Sequence, residues 1–179
     1  MPALEIETTW RTFVRTLLTD PSQRTIVSAL YVFVLEFGDR LLELELREGS
    51  AGGSNQPFTV HLFTGGLLFE SLLKRCYPKN GNTNNSTLED VLKTSHFLQD
   101  FSLTSVPQSS ARTLQAIYDA IHGRGNIENA FSTAAKLRNT TGHNLVWDDI
   151  FATPQKYVDL FEQVMDAILF VIAKKLIQT

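Results

Sequence analysis

An all-α fold is what the sequence predicts, arranged as a bundle of about five to seven helices. Three observations lead there. Apolar residues recur at three- and four-residue spacing through most of the 179 residues, no stretch sustains strict alternation, and the prolines fall at expected helix starts or in loops.

Taken in order, residues 9–18 place Trp10, Phe13, Val14, Leu17 and Leu18 on one helical stripe. Asp20 and Pro21 supply a cap and a proline suited to a first helical turn. The helix they start is expected from Ser22 to Arg47, with Ile26, Leu30, Phe33, Val34, Phe37, Leu41 and Leu44 on its apolar face. Glu43 and Arg47 sit four apart on the solvent side. Glu48 to Pro57 reads as a flexible loop by composition. A third helix is expected over 60–77, with Leu67, Leu68, Ser71, Leu72 and Cys76 inward and Glu70, Lys74 and Arg75 outward, stopped by Pro78. Lys79 to Ser86 is a turn-rich polar loop, and Ser86 is the expected cap of a helix running to about Gln99. Another helix is expected from Pro107 to the break at Gly123, carrying Leu114, Ile117, Tyr118 and Ile121. Residues 125–142 form a helix with Ile127, Ala130, Phe131, Ala134 and Leu137 inward. Thr153 and Pro154 open the last, whose face is Val158, Phe161, Val164, Met165, Ile168, Leu169, Ile172 and Leu176. The expected organisation is an N-terminal helical extension over 1–20 and one bundle over 22–179, with the flexible loop near 48–57.

Composition narrows the function classes. At 43% apolar and 20% charged, the chain has enough apolar matter for a core. Its longest strongly apolar charge-free stretch, Thr25 to Leu35, falls short of the roughly 20 residues that span a bilayer, so no membrane partner is expected. The single cysteine, Cys76, and an N-terminus without a basic or apolar leader suit a cytoplasmic location. A net charge of −3 counts against a long duplex footprint. The charge is uneven, however. Residues 1–50 hold eight acids against five arginines, whereas 111–143 set Arg112, Arg124, Lys136 and Arg138 against Asp119 and Glu128. A short single strand or a small anion suits that second region.

No phosphate loop, His-Glu-x-x-His pair, Cys-x-x-Cys or dinucleotide fingerprint occurs. His61, His96 and His122 lack ligand-like spacing and read as core-edge or solvated side chains; Glu89–Asp90 and Asp148–Asp149 read as acids at helix boundaries. No metal or cofactor is expected. One segment differs: Lys136-Leu-Arg138-Asn139-Thr-Thr-Gly142-His143-Asn144 closes the penultimate helix. Arginine offers a planar fork of donors to a phosphate, and histidine exchanges a proton near neutral pH. These are the minimal parts for phosphodiester cleavage without a metal. Asn139 and His143 share a face at i,i+4, while Arg138 lies about 140° from His143 on an ideal helix. Joint action therefore needs a distortion, and Gly142 is placed to end the helix and supply it. An Arg-Asn pair at this spacing from a histidine is expected by chance roughly 0.01 times in such a chain. The plain alternative is that Arg138 offsets a helix C-terminus and that His143 and Asn144 satisfy its last carbonyls.

Arg138-Asn-Thr-Thr-Gly-His143 in a small helical bundle resembles the HEPN superfamily of ribonucleases and nucleotide-binding domains. The order of parts is similar too: an inner helix like Gly66 to Lys74, then the motif helix, then a closing helix like 154–177. The resemblance covers 22–179, with only the motif specific. It implies a metal-independent endoribonuclease acting on single-stranded RNA, a homodimer that joins two motifs in one cleft, and a role in anti-phage defence or a toxin–antitoxin pair. It implies His143 as general acid or base, Arg138 as stabiliser of charge on the phosphate, and Asn139 as an orienting or binding group. An antitoxin or regulatory protein is an implied partner. Some toxins of the family carry a modified tyrosine two positions after the histidine; Leu145 stands there in this chain. The alternatives are a non-catalytic RNA- or nucleotide-binding relative and a protein-interaction bundle.

Overall fold

A computed structural model describes residues 11–12, 15, 24–47, 56–78, 87–107, 113–121, 125–143 and 154–177, without the side chains of 141–143 and 177. Among the described residues the regular elements are all helical, as the apolar spacing predicts. They are α1 (Arg24–Arg47), α2 (Gln56–Cys76), α3 (Leu88–Leu92), α4 (Ser95–Asp100), α5 (Leu114–Asp119), α6 (Ile127–His143) and α7 (Pro154–Ile172), which ends in a π-helical turn, Ala173–Ile177. No described helix is long and apolar enough to cross a membrane. The loop expected over 48–57 and the N-terminal helix over 9–18 lie mostly outside the described residues; Arg11, Thr12 and Arg15 are helical.

Helices α2, α6 and α7 pack on one another to form the centre, and α1 lies against α2 and α7. The short helices cover the remaining sides, α3 on α2 and α5 on α6. Phe58, Leu62, Phe69, Leu73, Phe97, Phe131, Leu137, Tyr157, Leu160 and Val164 are fully enclosed. Such aromatic density favours specific ring packing. Phe37 stacks on Phe161 at 3.7 Å between centroids, and Phe97, Phe101 and Phe131 form a second aromatic group.

Two glycines explain how the centre packs so closely. A Cβ on Gly65 would lie 2.4 Å from the Phe33 ring and 2.7 Å from Val164, so the bare backbone admits α1 and α7 together. A Cβ on Gly66 would lie 2.9 Å from the Cβ of Arg138 and 3.0 Å from its backbone nitrogen. A glycine inside a helix costs about 1 kcal/mol against alanine. Here it lets the backbone of α6 rest on α2.

His61 ties the same helices through polar contacts. Its Nε2 donates to the Phe33 carbonyl at 2.8 Å, and its Nδ1 accepts from the Tyr157 hydroxyl at 2.7 Å. Burial lowers its pKa, which fits the neutral imidazole these two bonds require. The core reading of His61 therefore holds, and His96 is solvated as expected.

Several boundaries differ from expectation. Helix α2 begins at Gln56, so Pro57 occupies a first-turn position, where a missing N–H is harmless. The inner face of α2 is Phe58, Leu62, Phe69, Leu72 and Leu73; Leu67 is exposed and Glu70 is buried. The helix expected from Ser86 to Gln99 is two helices. Thr87, with Asp90, forms the capping box of α3, and Thr94 accepts from the Phe97 N–H to start α4. A second capping residue, Thr94, five positions before the expected end is the signal that breaks the run. Helix α5 starts at Leu114, capped by Thr113, rather than at Pro107.

Candidate functional site

The Arg138 segment stands on α6, whose first turn is capped by Asn126 through its Oδ1 and the Asn129 N–H at 3.1 Å. Residues 130–137 are buried on every side, because α6 runs between α2 and α7. Exposure returns at 138–140, so the motif begins where the helix leaves the core.

Gly66 brings α6 into contact, and Glu70, one turn further along α2, receives Arg138. The Arg138 Nε donates to Glu70 Oε2, while Lys74 Nζ lies 2.7 Å from Glu70 Oε1. The Glu70 side chain is only 8% exposed, against 31% for Arg138. Burial alone would raise the Glu70 pKa, but hydrogen bonds from Lys74 and Arg138 outweigh it and hold the carboxyl below its ordinary range. A carboxylate between two cations thus fixes the Nε edge of the guanidinium. Arg138 Nη1 donates to Asn139 Oδ1 at 3.2 Å, linking the two motif residues directly.

Helix α6 continues through Gly142 to His143. The helix end expected at Gly142 is therefore not where the described helix stops, and the backbone distortion it was to supply is absent over 127–143. On a continuous helix, His143 falls on the face of Asn139, and Arg138 stands about 140° away. Asn139 bridges the gap on the arginine side through its bond to Nη1. The simple role of Arg138 as a helix-end cation gives way to an anchored one, since its partner is a carboxylate on α2. The His122 and Asp148–Asp149 readings lie outside the described residues, as does Asn144. Glu89 and Asp90 act locally, in an ion pair with Lys93 and in the α3 cap.

Sequence reasoning missed Glu70 and Gly66, treating Glu70 as an outward polar group. The available signal was a Gly-Gly pair inside a helical pattern followed four residues later by an acid, a spacing that sets both on one face.

Elsewhere, Cys76 is half-buried and its thiol is pushed up to about 11, chiefly by burial, which makes it a poor nucleophile. A cavity of about 720 Å³ beside it is lined by Tyr77, Asp90, Lys93, His96, Asp100 and Lys175. Its charges are already engaged: Lys175 pairs with Asp100, and Tyr77 donates to Asp100 at 2.8 Å. Among the described residues no three His, Cys, Asp or Glu side chains cluster as metal ligands.

Comparison with family models, with curated proteins and with solved structures finds no match to this chain. The site is therefore read from its own residues.

Proposed function

We propose that this protein is a metal-independent endoribonuclease that cleaves single-stranded RNA through Arg138, Asn139 and His143, acting as a homodimer with two motifs in one cleft. The observation that carries the reading is the anchored arginine: Glu70 holds Nε while Asn139 takes Nη1, so the guanidinium is oriented at the point where α6 emerges from the core. An oriented fork of donors loses little freedom when it meets a phosphate. In the reaction, the ribose 2′-oxygen attacks the adjacent phosphorus and the bond to the 5′-oxygen breaks. His143 removes the 2′-proton and protonates the leaving oxygen, Arg138 stabilises the charge gained by the phosphate, and a 2′,3′-cyclic phosphate results. The resemblance to HEPN proteins adds the cellular setting, anti-phage defence or a toxin–antitoxin pair in the cytoplasm, with an antitoxin or regulator as partner.

The test is cleavage of labelled single-stranded RNA in EDTA by the purified chain beside His143→Ala. Loss of about 10²–10⁴-fold in the variant is expected for a general acid–base residue. Equal cleavage by both proteins, or none by the wild type, refutes the reading.

A second reading has its own support. Tyr31, Val32, Leu35, Leu42 and Leu46 form an exposed apolar stripe along α1, 52–78% accessible. Such a stripe favours a protein-interaction bundle. Under that reading the His143 and Arg138 substitutions leave partner binding intact.

A further inference from the structure

Helix α1 is apolar on two sides. Leu30, Phe33 and Leu44 are buried toward α2 and α7, yet Tyr31, Val32, Leu35, Leu42 and Leu46 stand more than half exposed. With Ser28, these five fall within about 100° of one another around an α-helix. A stripe of that width is what a helix turns toward a neighbour, and no described residue covers it. The apolar surface continues across the α1–α2 groove of about 690 Å³, which Val32 and Val60 line, to the exposed Leu67. Leu67 is one turn before Glu70, which holds Arg138, so the surface extends toward the motif.

Spacing identifies the kind of neighbour. Ser28, Leu35 and Leu42 recur every seven residues, and Tyr31 with Val32, then Glu45 with Leu46, fall three and four places after the first and last of them. A 3.5-residue repeat fits a second helix laid alongside, knobs into holes. Helix α1 itself, 24 residues and about 36 Å long, is a helix of that kind. Five large apolar side chains, half exposed, offer on the order of 600 Å² per protomer, so a pair covers about 1,200 Å², the size of a specific interface. Charge sets the direction. A parallel pair would place Asp39 and Glu45 opposite their own copies. An antiparallel pair offsets both, brings Arg24 of one helix toward the Glu45 end of the other, and opposes the macrodipoles.

We propose that a second copy of this chain covers the stripe, through an antiparallel pair of α1 helices. Leu42 of each protomer then packs against the partner's Tyr31 and Val32, Leu46 reaches the partner's Ser28, and the two Leu35 side chains lie beside the twofold axis. Such an isologous contact uses one patch twice, so the exposed stripe is its own complement. The inference rests on the ribonuclease reading for what the homodimer is used for, and it names the face that pairs; the pairing itself follows from α1.

The test measures the mass of the full chain by sedimentation equilibrium at concentrations up to tens of micromolar. The wild type is expected at twice the 20.1 kDa of one chain. Leu35→Lys places two ammonium groups at the centre of the contact and should raise the dissociation constant at least ~100-fold. Gln99→Lys, at an exposed position of α4, is the control and stays dimeric. Far-ultraviolet circular dichroism and urea midpoints establish that each variant folds. Direction is read by oxidation in a Cys76→Ser background: Val32→Cys with Leu42→Cys in one chain cross-links two protomers, whereas either cysteine alone does not. A wild type that is monomeric throughout overturns the proposal and the shared cleft together. If Leu35→Lys remains dimeric, the α1 face falls and a homodimer through another face stands. Cross-linking by the single cysteines overturns antiparallel packing. If Leu35→Lys is monomeric and still cleaves single-stranded RNA in EDTA as the wild type does, the α1 pair stands and the shared cleft falls. If the wild type is dimeric, Leu35→Lys is monomeric and neither cuts RNA, the ribonuclease reading falls alone.

Discussion

Removing the carboxylate of Glu70 tests whether α2 orients the arginine. In Glu70→Gln the side chain keeps its size but loses its charge, leaving Arg138 and Lys74 facing a neutral amide. At the 2.7 Å separation of Lys74 and Glu70, the Coulomb attraction is about 1.5 kcal/mol in bulk water and about 6 kcal/mol at an effective dielectric of ~20. Desolvation of Glu70, which is 8% exposed, offsets much of the larger figure, and the 31% exposure of Arg138 admits screening water. The coupling between Glu70 and Arg138 should therefore be about 1–2 kcal/mol, below the ~3–5 kcal/mol lost when a fully buried pair is broken. A double-mutant cycle isolates it. Wild type, Glu70→Gln, Arg138→Met and the double variant are unfolded in urea, and the interaction energy is taken from the four free energies. A coupling under ~0.3 kcal/mol would refute the anchored arginine, since the contact would then be a surface pairing with no energetic content.

The two kinds of glycine separate cleanly. Gly66→Ala should destabilise by about 1–3 kcal/mol, because its methyl meets Arg138 backbone atoms that cannot rotate away, whereas Gly38→Ala, with nothing within 4 Å, should stabilise by about 0.5–1 kcal/mol; thermal unfolding reads both. Stability should also fall as the pH drops below about 6.5, because the unfolded state takes up a proton on His61 that the folded state, with its lowered pKa, resists. Urea midpoints against pH should flatten through that window in His61→Gln. A separate loss at lower pH, where Glu70 protonates in the unfolded chain first, should persist in that variant.

How much of this was legible in the sequence depended on which force set each feature. Helix identity, the inner face of α1 and that of α7 follow from apolar spacing, since those faces bury against the centre wherever their neighbours lie. The break between α3 and α4 was not read, because it depends on Thr94 choosing a capping conformation over a helical one. Glu70 illustrates a deeper difficulty. Periodicity ranks an acid as outward, and only the partner cations, one of them 68 positions along the chain, make its burial favourable. The Arg138 and Asn139 positions were legible as a pattern, yet the agent that orients them was not.

The continuous course of α6 through Gly142 changes what the motif can do within one chain. A histidine about 140° from an arginine cannot meet it over a single phosphate on a straight helix unless something spans the angle. Asn139 spans part of it, being bonded to Arg138 and four residues before His143. In the proposed homodimer a second copy of the motif would supply the histidine that one straight helix cannot set beside Arg138.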